Sequence, residues 1–265
     1  LDPCYDSYDP NIELAGGIAV HVPLTPGTFA PDFERIGASL TPRTRAIIIN
    51  TPHNPSATVW SRADMERLAT LLAPTDVIVI SDEVYEHMVY DDALHQSVAR
   101  FPALAERSVA ISSFGKTYHV TGWKVGYAAA PAALMSEFRK VHQFNVFTVN
   151  TPMQHGIASY MTDPAHHLGL AAFYQKKRDL FRAGLARTRL RMLPSQGSFF
   201  QCVDYSAVSD LGEEDFCRWL TAEKGVAAIP LSAFYADGRE QRIARFCYAK
   251  KDETLALALD RLAQL

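Results

Sequence analysis

Apolar positions along the chain fall into short runs rich in β-branched residues, separated by longer stretches with helical spacing. That alternation is the mark of a mostly parallel sheet covered by helices. The runs predict strands over residues 17–23, 45–50, 77–81, 108–112 and 124–129. Between the second and third, Ser61-Arg62-Ala63-Asp64 reads as a helix start, with Ser61 as N-cap and Met65, Leu68, Leu71 and Leu72 as the buried face.

After Pro131 the pattern changes. Residues 132–149 and 151–162 read as helices, and 168–190 as a long helix with basic residues on its exposed side. Strands near 198–203, 226–230 and 243–248 and a closing helix over 253–262 follow. The expected fold is α/β: a large three-layer αβα domain over residues 1–165 and a smaller α+β domain over 166–265.

Composition narrows the classes of function. Hydrophobic residues make up 48% and charged residues 21%, as in an ordinary globular protein, and the net charge of −3 gives no reason to expect nucleic acid as partner. No apolar stretch approaches the roughly 20 residues of a membrane span. Cys4, Cys202, Cys217 and Cys247 are widely spaced with no CxxC pair, so they read as reduced thiols of a cytoplasmic protein. No histidine has ligand-like spacing with a second donor, so no metal site is expected, and His166-His167 reads as a solvated loop pair.

Ligands of open parallel sheets sit at the carboxyl ends of strands, and three ends here carry chemistry. The first gives Asn50-Thr51-Pro52-His53-Asn54-Pro55, the second Asp82-Glu83-Val84-Tyr85, and the third Ser113 and Lys116. Lys116 follows an apolar strand in a small-residue turn, and Lys124 follows eight positions later between Gly122 and Gly126. A lysine held that way is placed for covalent chemistry on a carbonyl, and a second cation nearby would raise its nucleophilicity. Taken singly, each residue has a plain reading: Asn54 as a turn residue, Asp82 as a helix cap, Lys116 as a solvated surface charge.

The order and spacing of Asn-Pro (54–55), Asp-x-x-Tyr (82–85) and Ser-x-x-Lys (113–116) change that reading. They resemble the signature of the fold type I pyridoxal-phosphate enzymes, in the class I/II aminotransferases. More narrowly, residues 50–55, 81–86, 116–127 and 245–250 resemble the branch of methionine aminotransferases and kynurenine and glutamine transaminases. The resemblance implies transfer of an amino group from methionine, or an aromatic or glutamine-like amino acid, to a 2-oxo acid. It also implies pyridoxal 5′-phosphate as cofactor and a homodimeric parent protein.

Residue roles follow from the same resemblance. Lys116 matches the lysine that bonds to the cofactor aldehyde and moves the substrate's Cα proton. Asp82 matches the carboxylate facing the pyridine nitrogen. Asn54 and Tyr85 match donors to the ring's phenolate oxygen, and Ser113 and Lys124 match phosphate ligands. Many relatives have arginine in place of Lys124; lysine there is shared with the methionine and kynurenine branch. Arg245 resembles the arginine that holds the substrate α-carboxylate, and Asn50 is expected nearby. Tyr5 aligns with the ring that stacks on the cofactor, a core role being its plain alternative. The Asn54-Pro55 bond is expected to be cis. Tyr118, Trp123, Phe199, Phe234 and Tyr235 read either as a side-chain pocket or as packing.

The chain opens on Leu1-Asp2-Pro3-Cys4-Tyr5 as if in mid-domain, and it is expected to be N-terminally incomplete. The family pattern implies about a hundred further residues before it, domain-sized, including a helix that caps the phosphate and an aromatic given to the partner subunit. Two other functions fit the same residues: a C–S lyase of the same fold, which product analysis distinguishes, and a non-catalytic sensor domain of a transcription regulator.

Overall fold

The computed structural model describes residues 1–265. In chain order the first elements are α1 (Tyr8–Leu14), α2 (Phe33–Ser39), β1 (Ala46–Asn50), α3 (Arg62–Leu72), β2 (Ile78–Asp82) and α4 (Pro102–Ala105). Next come β3 (Ser108–Ser113), α5 (Phe114–Thr117), β4 (Gly126–Ala129), α6 (Ala132–Asn145), α7 (Thr151–Tyr160), α8 (Ala165–Leu168) and α9 (Leu170–Leu185). The chain closes with β5 (Arg191–Met192), β6 (Phe200–Asp204), α10 (Glu213–Lys224), β7 (Ile229–Pro230), β8 (Ile243–Cys247) and α11 (Asp252–Leu262).

These elements group into two compact units. One holds Leu40–Pro52 and Val59–Ala171; the other holds Leu1–Ser39, His53–Thr58 and Ala172–Leu265. The grouping is not the contiguous division at 165/166. The first residues associate with the C-terminal segment because the Cys4 amide donates to Phe234 O (2.8 Å). Asp2 in turn exchanges backbone bonds with Val22 and Leu24 (2.9 and 2.7 Å).

In the first unit the sheet order is β1-β2-β3-β4, with the first two pairings parallel and the last antiparallel. Parallel register sets Asn50 beside Asp82, and Asp82 beside Ile111. Helix α3 starts where the sequence signals it. Ser61 Oγ accepts from Asp64 N (3.1 Å) while the Asp64 carboxylate accepts from Ser61 N (2.9 Å), a complete capping box. Met65, Leu68 and Leu72 are fully buried, each contributing roughly 1.5–3 kcal/mol, whereas Leu71 is half-buried.

The second unit has an antiparallel sheet of order β5-β6-β8-β7. Its core gathers Leu24, Phe29, Leu193, Cys202, Leu231, Tyr235 and Ile243. The Tyr205 ring stacks on Phe216 of α10 at 3.7 Å. That helix ends on Gly225, whose φ of 64° is the left-handed geometry glycine adopts without a Cβ penalty.

Several sequence-based elements differ. Residues 17–23 form no strand: a ladder needs a partner, and only the single bridge Asp2–Pro23 forms, leaving Ile18 and Val20 exposed. The helix expected over 132–149 stops at Asn145, and Phe147 turns to a φ of 65°. The long helix expected over 168–190 is divided at Gly169 and ends at Leu185. The strand expected over 226–230 shrinks to Ile229–Pro230. No helix is long and apolar enough to cross a membrane.

Candidate active site

The parallel register of the first unit brings Asn50 and Asp82 together at their strand ends. Asn50 Nδ2 donates to Asp82 O (2.9 Å), and the next residue's amide, Thr51 N, donates to the same oxygen (3.0 Å). The Asp82 carboxylate accepts from Val84 N (3.1 Å), so it is held in an Asx turn at the end of β2. Tyr85, in the same turn, is buried. Beneath them Glu83 is buried and accepts from Ser81 Oγ (2.9 Å) and Val98 N (3.0 Å), with His95 Nε2 at 2.9 Å. Burial alone would raise its pKa, but the His95 bond and charge and the other donors bring it below the usual value.

Strand β3 delivers the lysine turn. Ser113 Oγ accepts from Gly115 N (3.1 Å) and starts α5, which carries the half-buried Lys116. Val120 N and Thr121 Oγ1 both donate to Gly115 O (3.0 and 3.1 Å), folding the following turn back on the helix. A Cβ on Gly115 would stand 2.9 Å from Thr121 Cα, so this close return excludes a side chain there. Lys124 then takes left-handed geometry (φ 56°, ψ 42°) with an exposed side chain, and Gly126 pairs with Ser113. Sequence reasoning overlooked Glu86, whose Oε1 accepts from Ser112 Oγ (2.7 Å) and Tyr127 OH (2.6 Å) and so ties the β2 turn to β3 and β4. Burial and the Glu86 carboxylate push the Tyr127 phenol up.

The second unit holds the other residues singled out. Asn54 lies between two cis prolyl bonds, Thr51-Pro52 and Asn54-Pro55. Arg245 Nη1 donates to Asn54 Oδ1. Arg245 is 8% exposed on β8, opposite Cys202 of β6, with its guanidinium carbon 4.1 Å from the centre of the Phe200 ring and 4.7 Å from that of Phe234. The 53–58 loop is fixed to the same sheet. Cys202 Sγ donates to Pro55 O (3.4 Å), while Gln196 N and Gly197 N donate to Ala57 O (2.8 and 3.0 Å). His53 is buried against Ser56 Oγ (2.6 Å), and burial holds its pKa down at about 3. Tyr5 is 42% exposed and meets Tyr8 edge-on at 5.7 Å, so it is not a core residue.

Other candidates separate. Tyr118 packs on Phe114 and Tyr160, and Trp123 borders Gly156, in the first unit. Phe199 packs on Tyr174 and Phe200, and buried Tyr235 accepts from Gln241 Nε2 (2.7 Å), in the second. The pair His166-His167 is not a solvated loop. It lies in α8, where His166 stacks on Tyr160 at 3.7 Å and His167 borders His87 and Tyr118. Asp2, Cys4 and His21 gather their ligand atoms within 4.8 Å, a grouping that sequence spacing concealed. His21 lies between carboxylates, Nδ1 2.9 Å from Asp2 and Nε2 3.1 Å from Asp9, which accounts for the cluster as hydrogen bonding. Burial and the Asp2 charge push the Cys4 thiol up to about 12. All four cysteines are free thiols.

The donor set has the chemistry a phosphorylated pyridine aldehyde requires. A carboxylate suits a protonated ring nitrogen, an amide and a phenol suit a ring oxygen, a hydroxyl and an ammonium suit a phosphate, and an amine suits the aldehyde.

The profile of the class I and II aminotransferases matches residues 1–262. Methionine aminotransferase of Escherichia coli is 52% identical over 266 residues, covering 100% of this chain and 69% of that protein. Its crystal structure superposes with a TM-score of 0.97, covering 70% of that chain. N-succinyldiaminopimelate aminotransferase of Mycobacterium tuberculosis is 37% identical with a TM-score of 0.94, covering 99% and 70% of the two chains. Human kynurenine–oxoglutarate transaminase 1 is 33% identical over 295 residues, covering 99% and 70%. The chain belongs to the class I and II aminotransferases. It is a pyridoxal-5′-phosphate-dependent transaminase, acting on amino acids and 2-oxo acids.

Proposed function

We propose that this transaminase takes methionine as amino donor, with aromatic or glutamine-like amino acids as secondary donors. The observation that carries this is the 52% identity to the E. coli methionine enzyme across the whole chain. Lysine rather than arginine at position 124 agrees with it.

Bound pyridoxal phosphate supplies the carbonyl that takes up the amino group and the ring that delocalises the electrons released at Cα. The chain's own residues do the rest. Lys116 would hold the cofactor through its aldehyde, and its Nζ would carry the proton to and from substrate Cα. The Asp82 carboxylate keeps the ring nitrogen protonated, and its Asx turn fixes the direction in which it points. Asn54 and Tyr85 would donate to the ring oxygen, Ser113 and Lys124 would hold the phosphate, and Tyr5 would stack on the ring. Arg245 would grip the substrate carboxylate as a fork, and Asn50 is a further candidate ligand for it.

The same reading includes a cytoplasmic homodimer.

The test is an absorption spectrum of the purified protein with cofactor. Expected is a band near the visible edge that bleaches on adding methionine, with 2-oxo-acid-dependent transfer of the amino group. Release of ammonia without transfer would make the enzyme a lyase instead.

A further inference from the structure

Outside the residues assigned above, one carboxylate is placed where it controls the arginine. Glu213, the first residue of α10, has no exposed surface. Its Oε1 accepts from Gln241 N (2.7 Å) and Ile243 N (3.0 Å), and its Oε2 accepts from Ser232 N (2.5 Å). Two of those amides stand in a telling register. Ser232 lies two residues before Phe234, whose ring packs on the guanidinium, and Ile243 lies two residues before Arg245 itself. Ile243 opens β8, whose antiparallel register with β6 sets Arg245 opposite Cys202 and leads to Phe200, the second ring on the guanidinium.

The segment from Ser232 to Ile243 is also tied by Cys4 N, which donates to Phe234 O (2.8 Å), by Tyr205 N, which donates to Arg242 O (3.0 Å), and by the Arg242–Asp210 ion pair (2.9 Å). Glu240 Oε1 accepts from Glu213 N (3.1 Å), and a Cβ on Gly212 would stand 2.9 Å from that same oxygen, so glycine there lets Glu240 reach the helix start. Gln241 reaches back to the Tyr235 hydroxyl. The buried carboxylate thus closes a loop that carries one aromatic wall of the guanidinium at one end and the arginine strand at the other. Three backbone N–H groups on one buried carboxylate make it the strongest polar contact in that loop.

We infer that Glu213 is a positioning residue for carboxylate recognition: it sets the spacing between Phe234 and Arg245 and thereby the direction of the guanidinium fork. This rests on reading Arg245 as the carboxylate anchor. Glutamine at 213 has one acceptor oxygen and an NH₂ group. If it keeps the two bonds to Gln241 and Ile243, its NH₂ faces the Ser232 amide, donor against donor, and the Phe234 wall is released.

The test uses the holoenzyme and two half-substrates, propionate as a carboxylate without an amine and methylamine as an amine without a carboxylate. In Glu213→Gln, propionate affinity and the KM for methionine should weaken about tenfold, the scale of one buried charged hydrogen bond, with kcat little changed. The reaction of methylamine with bound cofactor should keep its wild-type rate, whereas general loosening of the fold would slow both. Phe234→Leu removes the wall without touching the buried carboxylate and should show the same split, which keeps the idea testable if Glu213→Gln does not fold. Unchanged propionate affinity in both variants, with a loss in Arg245→Lys, would overturn the role of Glu213 while sparing the anchor. No loss in Arg245→Lys would overturn the anchor and the inference together.

Discussion

Arg245 and Asn54 stand 191 positions apart in sequence, and Arg245 Nη1 donates to Asn54 Oδ1. The amide oxygen thus occupies one of the guanidinium's five donors and orients the rest. Asn54→Ala removes that acceptor and should raise the KM for the amino donor about tenfold. Asn54→Asp puts a carboxylate where the amide was, competing with the substrate for the same cation, so its KM should rise further than that of the alanine variant. Steady-state kinetics rank the two; equal KM values would show that Asn54 does not act through Arg245.

Lys116 sits on a four-residue helix whose return turn is locked through Gly115 O. Lys116→Ala should remove the absorption band near the visible edge and lower kcat by about 10²–10⁴, the usual worth of a positioned acid–base group. Added methylamine should restore part of the turnover, because a small free amine can enter the space the side chain leaves. A variant that keeps the band and wild-type turnover would place the nucleophile elsewhere.

Lys124 holds a left-handed backbone, a conformation that costs a non-glycine residue about 1–2 kcal/mol. Lys124→Gly should therefore unfold at slightly higher denaturant concentration than the parent in the absence of cofactor. It should also bind pyridoxal phosphate about ten- to a hundredfold more weakly through loss of the ammonium. Denaturant titration of the apoprotein and cofactor titration read the two effects separately. Unchanged cofactor affinity would remove Lys124 from the phosphate site.

The three strand ends were legible in sequence because each follows a short apolar run and closes on polar residues: Asn50, Asp82 and Ser113 all lie at the ends of paired strands. The helix start at Ser61 was legible for the same local reason, a side chain bonding an amide three residues away. What escaped was set by distant partners. Glu86 reads as an ordinary surface acid until β3 and β4 bring Ser112 and Tyr127 to it. Glu213 lies in a stretch for which the sequence pattern predicts no element, yet it is buried under amides 19 to 30 positions away. Residues 17–23 failed the other way: their apolar alternation is strand-like, but pairing depends on a neighbour that local pattern does not encode.

His53 gives the protein a titration that can be checked without turnover. Burial holds its folded pKa at about 3 against an ordinary 6.5. Between those values the unfolded chain binds a proton that the folded state refuses, so stability is complete above 6.5 and falls as the pH drops toward 3. The slope is about 1.4 kcal/mol per pH unit, which amounts to about 2 kcal/mol lost between pH 6.5 and 5. Glu83, also held below its ordinary value, loses stability in the same direction but only as carboxylates protonate at lower pH. His87 is depressed by burial as well, so the wild-type curve alone does not isolate His53. His53→Asn keeps a polar group within reach of Ser56 and removes the titration. Urea unfolding at pH 7, 6 and 5 should show the wild type losing about 2 kcal/mol more than this variant; parallel losses would mean that His53 is protonated in the folded state.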